Sequence, residues 1–188
     1  MNQNNSVREN ILTVFFTVLI FLGIQFFRIP VPLAAETLFL HFAHIFVVLA
    51  LTCLDLVKAT VAALLGFLAF EVLNGNYSAI PSVLFITIVS CLATGTVYSL
   101  WMDQDNMTRR DEYEVAVKSV LLYGALNLLA NMAWNSWSTM MAGSAAGAAV
   151  LTAITSALPI AINSVFTIIG ASVLYLPVHN VCKRILNG

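Results

Sequence analysis

The sequence has 188 residues, of which 60% are apolar and 9% charged, with a formal net charge of −1. An ordinary soluble domain is about 45–50% apolar and about 25% charged. The composition therefore argues against a water-soluble fold and for an integral membrane protein, and the near-neutral charge offers nothing to nucleic acid. Cys53, Cys91 and Cys182 are scattered without paired spacing, which indicates neither a disulfide framework nor a zinc cluster.

The opening residues, MNQNNSVREN, are polar and without hydrophobic pattern, so residues 1–10 are expected to form a cytoplasmic tail. The apolar run from Ile11 to Phe27 follows a stretch with a single positive charge, and no small-residue cleavage site comes after it. It therefore reads as a retained first helix rather than a signal peptide. A bilayer core of about 30 Å takes roughly 20 helical residues. Six segments qualify: Ile11–Phe27, Leu38–Leu54, Ala59–Leu73, Ile80–Trp101, Val115–Trp134 and Ala149–Pro177. The second and third are short and carry His41, His44 and Glu71; a four-helix alternative would make Leu38–Leu73 a re-entrant hairpin. The fold expected is all-α, a bundle of six transmembrane helices over residues 11–188 with a short C-terminal tail.

Breakers support these boundaries. Pro30 and Pro32 end the first helix and enforce an extended loop, Asn74, Gly75 and Asn76 make a turn, and Pro81 sits in a first helical turn where its missing donor costs little. Pro159 falls inside the sixth segment and predicts a kink there. With six spans and the N-terminus inside, Arg8, Lys58, Arg109, Arg110, Lys118, Lys183 and Arg184 fall on the cytoplasmic face and only Arg28 outside. That asymmetry satisfies the positive-inside rule. Both termini and the loop Asp103–Glu114 are then cytoplasmic.

The sequence lacks a glycine-rich phosphate loop with its lysine, so ATP hydrolysis is not expected of this chain. His41 and His44, three apart, have no third metal ligand nearby in sequence; Glu71 is the one group that could join them, as metal ligands or as an enzymatic site, and polar packing is the preferred reading. Ionisable and amide groups inside membrane segments nevertheless mark function by default. His41, His44, Glu71, Asn127, Asn131, Asn135 and Asn163 are such groups. Asn127, Asn131 and Asn135 recur every four residues and so form one stripe, with Trp134 and Trp137 beside it. Amides next to aromatic faces suit a small neutral ring that stacks and hydrogen bonds. The alternative is that the tryptophans belong to an interfacial belt and the asparagines join helices. Small residues crowd the third segment (Ala59, Ala62, Ala63, Gly66, Ala69) and the sixth, which permits close helix approach.

The stretch RIPVP followed by LHFAHIFVVLA and DLVKATVAALLGFLAFEVLNG, with the C-terminal PIAINSVFTIIGASVLYLPVHNVCKRIL, resembles the substrate-binding S components of energy-coupling factor (ECF) vitamin transporters. The resemblance covers about half of the chain. It implies six helices and a vitamin pocket near the outer surface closed by the loop between helices one and two (Arg28, Pro30, Pro32, Glu36); no cofactor is expected. It also implies a complex with a transmembrane coupling subunit and two ATPases. Many members contact the coupling subunit through an alanine pair four apart on helix one; here Thr13 and Thr17 hold that spacing.

The substrate-binding candidates are Asn131, Trp134, Asn127, Asn135, His41, His44 and Glu71. A carboxylate ligand would want a cation, and the outer half offers only Arg28 and the two histidines. The ligand expected is thus a neutral heteroaromatic such as hydroxymethylpyrimidine or a pyridoxine-like vitamer, with riboflavin and pantothenate behind it. A self-sufficient secondary transporter is the main alternative function, disfavoured by the lack of a detectable inverted repeat.

Overall fold

The computed structural model describes residues 3–33, 36–104 and 106–187. In chain order the elements are helix α1 (Gln3–Gln25), strands β1 (Arg28–Leu33) and β2 (Glu36–His41), and helices α2 (Ala43–Cys53) and α3 (Leu56–Leu73). A 3-10 turn (Tyr77–Ala79), α4 (Ile80–Met102), α5 (Arg109–Met141), α6 (Ala146–Thr155) and α7 (Ala157–Asn187) follow. Helices α1, α3, α4, α5 and α7 are long and apolar enough to cross a membrane, whereas α2 and α6 are short.

The chain departs from a plain helical bundle in four places. The loop after α1 is an antiparallel hairpin in which Arg28 pairs with His41, Pro30 with Phe39 and Leu33 with Glu36; Ala34 and Ala35 between the strands lie outside the described residues. Proline lacks the donor that a third strand would need, so Pro30 and Pro32 suit a two-stranded ribbon. The apolar run Leu38–Leu54, expected as one helix, is divided into β2 and α2. Eleven helical residues rise only about 17 Å, and α2 is packed on all sides, with Ile45, Val47, Val48, Leu49 and Ala50 buried, as befits a helix that is apolar all round. Thirdly, α1 starts at Gln3 and takes in most of the polar opening expected as a tail.

The sixth expected span is the fourth departure. Instead of kinking at Pro159 it breaks at Ser156, and Pro159 occupies the first turn of α7, where no intrahelical donor is required. The Ser156 amide donates to the Thr152 carbonyl and its hydroxyl to Ala153. Beyond the break, α7 runs through Pro177 to Asn187 rather than ending at Pro177.

Close helix approach holds the bundle together. A Cβ on Gly66 of α3 would lie 2.7 Å from the Ile20 side chain and 3.0 Å from the Thr17 carbonyl of α1, and Ala59, Ala62 and Ala63 on the same helix are buried. The small residues read from the third segment thus form an intramolecular crossing. On α4, Thr87, Ser90, Cys91, Thr94, Gly95 and Tyr98 form the buried face, and α5, which packs against α4 and α7, buries Ala116, Ser119, Val120, Tyr123 and Asn127. Val14, Phe15, Leu129, Ile169 and Val173 stay exposed on the perimeter, where a bilayer supplies their apolar surroundings.

One end of the bundle gathers charge. Glu9 of α1 pairs with Lys58 of α3, whose ammonium also lies 3.4 Å from Asp55, the residue capping α3. Lys183 of α7 bonds Glu112 of α5 at 3.2 Å, and Arg8 donates to the Leu186 carbonyl at 3.4 Å. The Thr108–Asp111 capping box starts α5 at this same end. The hairpin and Arg28 lie at the other.

Candidate functional site

Beneath the hairpin, a cavity of about 130 Å³ is bounded by six elements. Ile24 comes from α1, His41 from β2, His44 from α2, Phe67 and Glu71 from α3, Val83, Ile86 and Thr87 from α4, and Asn127 and Asn131 from α5. Five of the seven residues expected to bind substrate therefore share one space. Each reaches it for a local reason: His41 ends β2 and His44 opens α2, while Phe67 and Glu71 stand one turn apart on α3, as do Asn127 and Asn131 on α5.

The hydrogen bonds around the cavity decide which atoms carry protons. Asn163 of α7 accepts the His41 backbone N–H at its Oδ1 (3.4 Å), so its Nδ2 is the atom 3.2 Å from His41 Nε2 and must donate to it. His41 is then neutral with its proton on Nδ1, and that nitrogen is buried without a hydrogen-bond partner among the described residues. His44 Nδ1 lies 2.9 Å from the hydroxyl of Tyr123, which is fully buried. A buried phenol without an acceptor is costly, so Tyr123 donates and the His44 proton sits on Nε2. Asn131 Nδ2 donates to the carbonyl oxygen of Asn127 at 2.8 Å and to its side-chain Oδ1 at 3.3 Å. This leaves the Asn131 oxygen and the Asn127 amide N–H groups without a bond among the described residues. The Glu71 side chain is buried, and its Oε2 has no partner among the described residues.

Two expected site residues lie elsewhere. Trp134 packs its ring 5.5 Å from Phe85 and 5.1 Å from Trp137, lining a separate aromatic recess between α4 and α5. Asn135 donates to the Ser156 hydroxyl at 3.2 Å and so ties α5 to the break before α7. In the hairpin, Arg28 donates from Nε to the Ile24 carbonyl and lies 5.3 Å from the Phe70 ring centroid. Pro30 is exposed, while Pro32 and Glu36 are described by their backbone alone. Thr13 and Thr17 are half-buried and bond to carbonyls of their own helix, with Thr17 at the α1–α3 crossing. Three histidine, cysteine or acidic groups placed to hold one metal ion do not occur among the described residues.

Sequence reasoning passed over Tyr123, Asn163 as a partner of His41, and Phe67 and Thr87 as walls. A signal for Tyr123 was present: the four-residue recurrence of Asn127, Asn131 and Asn135 extends back to it. Asn163 came into view as an isolated polar group in an apolar segment, but its partner is 122 positions away.

The chain matches no curated protein and no solved structure. A family model described as the ECF-type riboflavin transporter, S component, matches residues 4–180. With the match spanning nearly the whole chain, over a multi-pass helical bundle with a small polar cavity beneath a hairpin, this protein belongs to the S-component family of ECF-type transporters, whose members are vitamin-uptake subunits and not enzymes.

Proposed function

We propose that this chain captures a small, single-ring heteroaromatic vitamin or precursor, of the hydroxymethylpyrimidine or pyridoxine kind. It does so on the outer side of the plasma membrane and releases the ligand inward when partner ATPases hydrolyse ATP. The observation that carries this reading is the size and lining of the cavity. Pockets for drug-sized ligands span about 300–1,000 Å³, and this cavity, at about 130 Å³, falls well below that range. One substituted ring suits such a space. The imidazole, amide and carboxylate groups around it supply several directed hydrogen bonds, and Phe67 supplies an aromatic wall.

The description of the matching family model favours a second reading, riboflavin. Its three fused rings and ribityl chain need the hairpin to swing away and the cavity to widen. Titration calorimetry on the purified protein with 4-amino-5-hydroxymethyl-2-methylpyrimidine, pyridoxine and riboflavin separates the two, together with mass spectrometry of any ligand that copurifies. Submicromolar binding of a single-ring compound supports the first reading; tight riboflavin binding with neither single-ring compound bound overturns it.

The same proposal orients the chain with both termini, Lys58 and the loop Asp103–Glu114 in the cytoplasm, because the cations gather at the end opposite the hairpin. A cysteine at Asn106 should resist an impermeant thiol reagent applied to intact cells; labelling from outside would invert the topology. The hairpin carrying Arg28, Pro30, Pro32 and Glu36 acts as the lid, and the α1 side bearing Thr13 and Thr17 meets the coupling subunit. Vesicles holding this chain without ATPase partners should not accumulate the vitamin, and accumulation there would point to a self-sufficient secondary transporter.

A further inference from the structure

We propose that Glu71 selects the ligand by its nitrogen: the substrate is a basic heterocycle that presents an N–H edge to the Glu71 carboxylate and shares one proton with it. This rests on the single-ring reading above and adds the chemical feature that the site recognises. The argument starts from charge. Glu71 is 8% exposed, and its Oε2 lacks a partner among the described residues. A buried carboxylate oxygen without a donor is expensive, more so than a neutral group, and the cost is removed when a ligand brings the donor.

Among the described residues, the cavity wall offers no cation to fill that role. His41 accepts at Nε2 from Asn163 and His44 accepts at Nδ1 from Tyr123, so each ring is neutral. Arg28 stands over Phe70, with its Nε committed to the Ile24 carbonyl. The Asn76 side chain is a neutral donor beside the Glu71 carboxylate, and on α4 and α5 the cavity is lined by Val83, Ile86, Thr87, Asn127 and Asn131, none of which carries charge. A ligand bearing its own carboxylate would face this acceptor unaided and be repelled. A ring nitrogen beside an exocyclic amine, or a pyridine nitrogen, meets the carboxylate through one proton supplied by either partner. Charge-assisted bonds of this kind are roughly twice as strong as neutral ones.

The lining also supplies the complement. His41 Nδ1–H is a buried donor without a partner among the described residues, and it suits a hydroxyl or second ring nitrogen on the same ligand. Acceptor and donor enter from different elements, α3 and β2, so a ring that satisfies both bridges the bundle and the hairpin.

The test compares 4-amino-5-hydroxymethyl-2-methylpyrimidine with 2-amino-4-methylbenzyl alcohol, which has the same outline with both ring nitrogens replaced by carbon. The wild-type protein should bind the pyrimidine roughly tenfold to a hundredfold more tightly, and Glu71→Gln should shrink that gap to about threefold or less. A gap that persists in Glu71→Gln overturns the role of Glu71 and leaves the single-ring reading intact. Absence of any gap in the wild-type protein overturns it too, whether or not the variant folds. If riboflavin binds and neither single-ring probe does, both the reading and this inference fall.

Discussion

The two ends of the bundle treat charge in opposite ways. At one, Glu9 of α1 meets Lys58 of α3 and Glu112 of α5 meets Lys183 of α7, so carboxylates and ammonium groups on neighbouring helices neutralise each other. At the hairpin end, the Glu71 oxygen and the His41 imidazole nitrogen are buried with their hydrogen-bonding capacity unused among the described residues. Surface ion pairs contribute little each, about 0–1 kcal/mol, but they join α1 to α3 and α5 to α7 without any ligand. The hairpin end leaves that capacity open to a ligand. Stability should therefore be most sensitive to the helix crossings, and affinity to the cavity.

The largest expected effect falls on the crossing. Replacing Gly66 by leucine forces a side chain into the Ile20 side chain and the Thr17 carbonyl. Overpacking of this kind costs typically 1–3 kcal/mol and more where backbone must move. The variant should lose monodisperse behaviour in detergent or melt well below the wild-type protein. A wild-type melting profile would show that α1 and α3 can separate freely at this point.

Next comes the support behind the cavity. Asn163→Ala removes the amide that sets the His41 tautomer and accepts its backbone N–H. Asn163 itself does not line the cavity; the variant leaves the His41 backbone N–H and Nε2 without their partner, so melting should fall by the equivalent of about 1–3 kcal/mol while affinity for the vitamin falls about tenfold. Restoration of binding by Asn163→Gln would point to the amide rather than to packing. Unchanged affinity in Asn163→Ala would mean that His41 does not depend on it.

These effects bear on how far the molecule can be read from its residues. Apolar runs bounded by Pro30, Asn74–Asn76 and Pro81 marked α1, α3 and α4 because a membrane helix must be both long and apolar. Leu38–Leu54 misled because a continuous apolar run has no period: strand and helix look alike in it, and only the pairing of Arg28 with His41 across the hairpin separates β2 from α2. In the cavity, His41, His44, Glu71, Asn127 and Asn131 stood out as polar groups that hydrocarbon does not tolerate. Tyr123 and Phe67 did not, since an aromatic residue in such a segment is unremarkable. Nor could the sequence show that Asn163 faces His41, a contact that depends on how α7 starts after the break at Ser156.

The smallest expected effects separate Asn131 from Trp134, which stand three apart on α5 and were expected to supply an amide contact and a stacking face together. Three residues advance an α-helix by about 300°, leaving the two side chains roughly 60° apart. That offset is enough to place Asn131 on the cavity and Trp134 against Phe85. Phe85 lies on the far side of α4 from Val83, Ile86 and Thr87, so the aromatic recess and the cavity open on different sides of that helix. Asn131→Ala removes the bonds to Asn127 and a free acceptor, and vitamin affinity should fall about threefold to tenfold. Trp134→Ala loses ring contacts with Phe85 and Trp137, worth about 0.5–1.5 kcal/mol beyond burial, so it should lower the melting temperature while changing affinity by less than about threefold. Calorimetry on the two variants, each checked for monodispersity, settles the assignment. A loss of binding in Trp134→Ala equal to that in Asn131→Ala would mean that the ligand spans both spaces, which a single ring does not, and would shift the balance towards riboflavin.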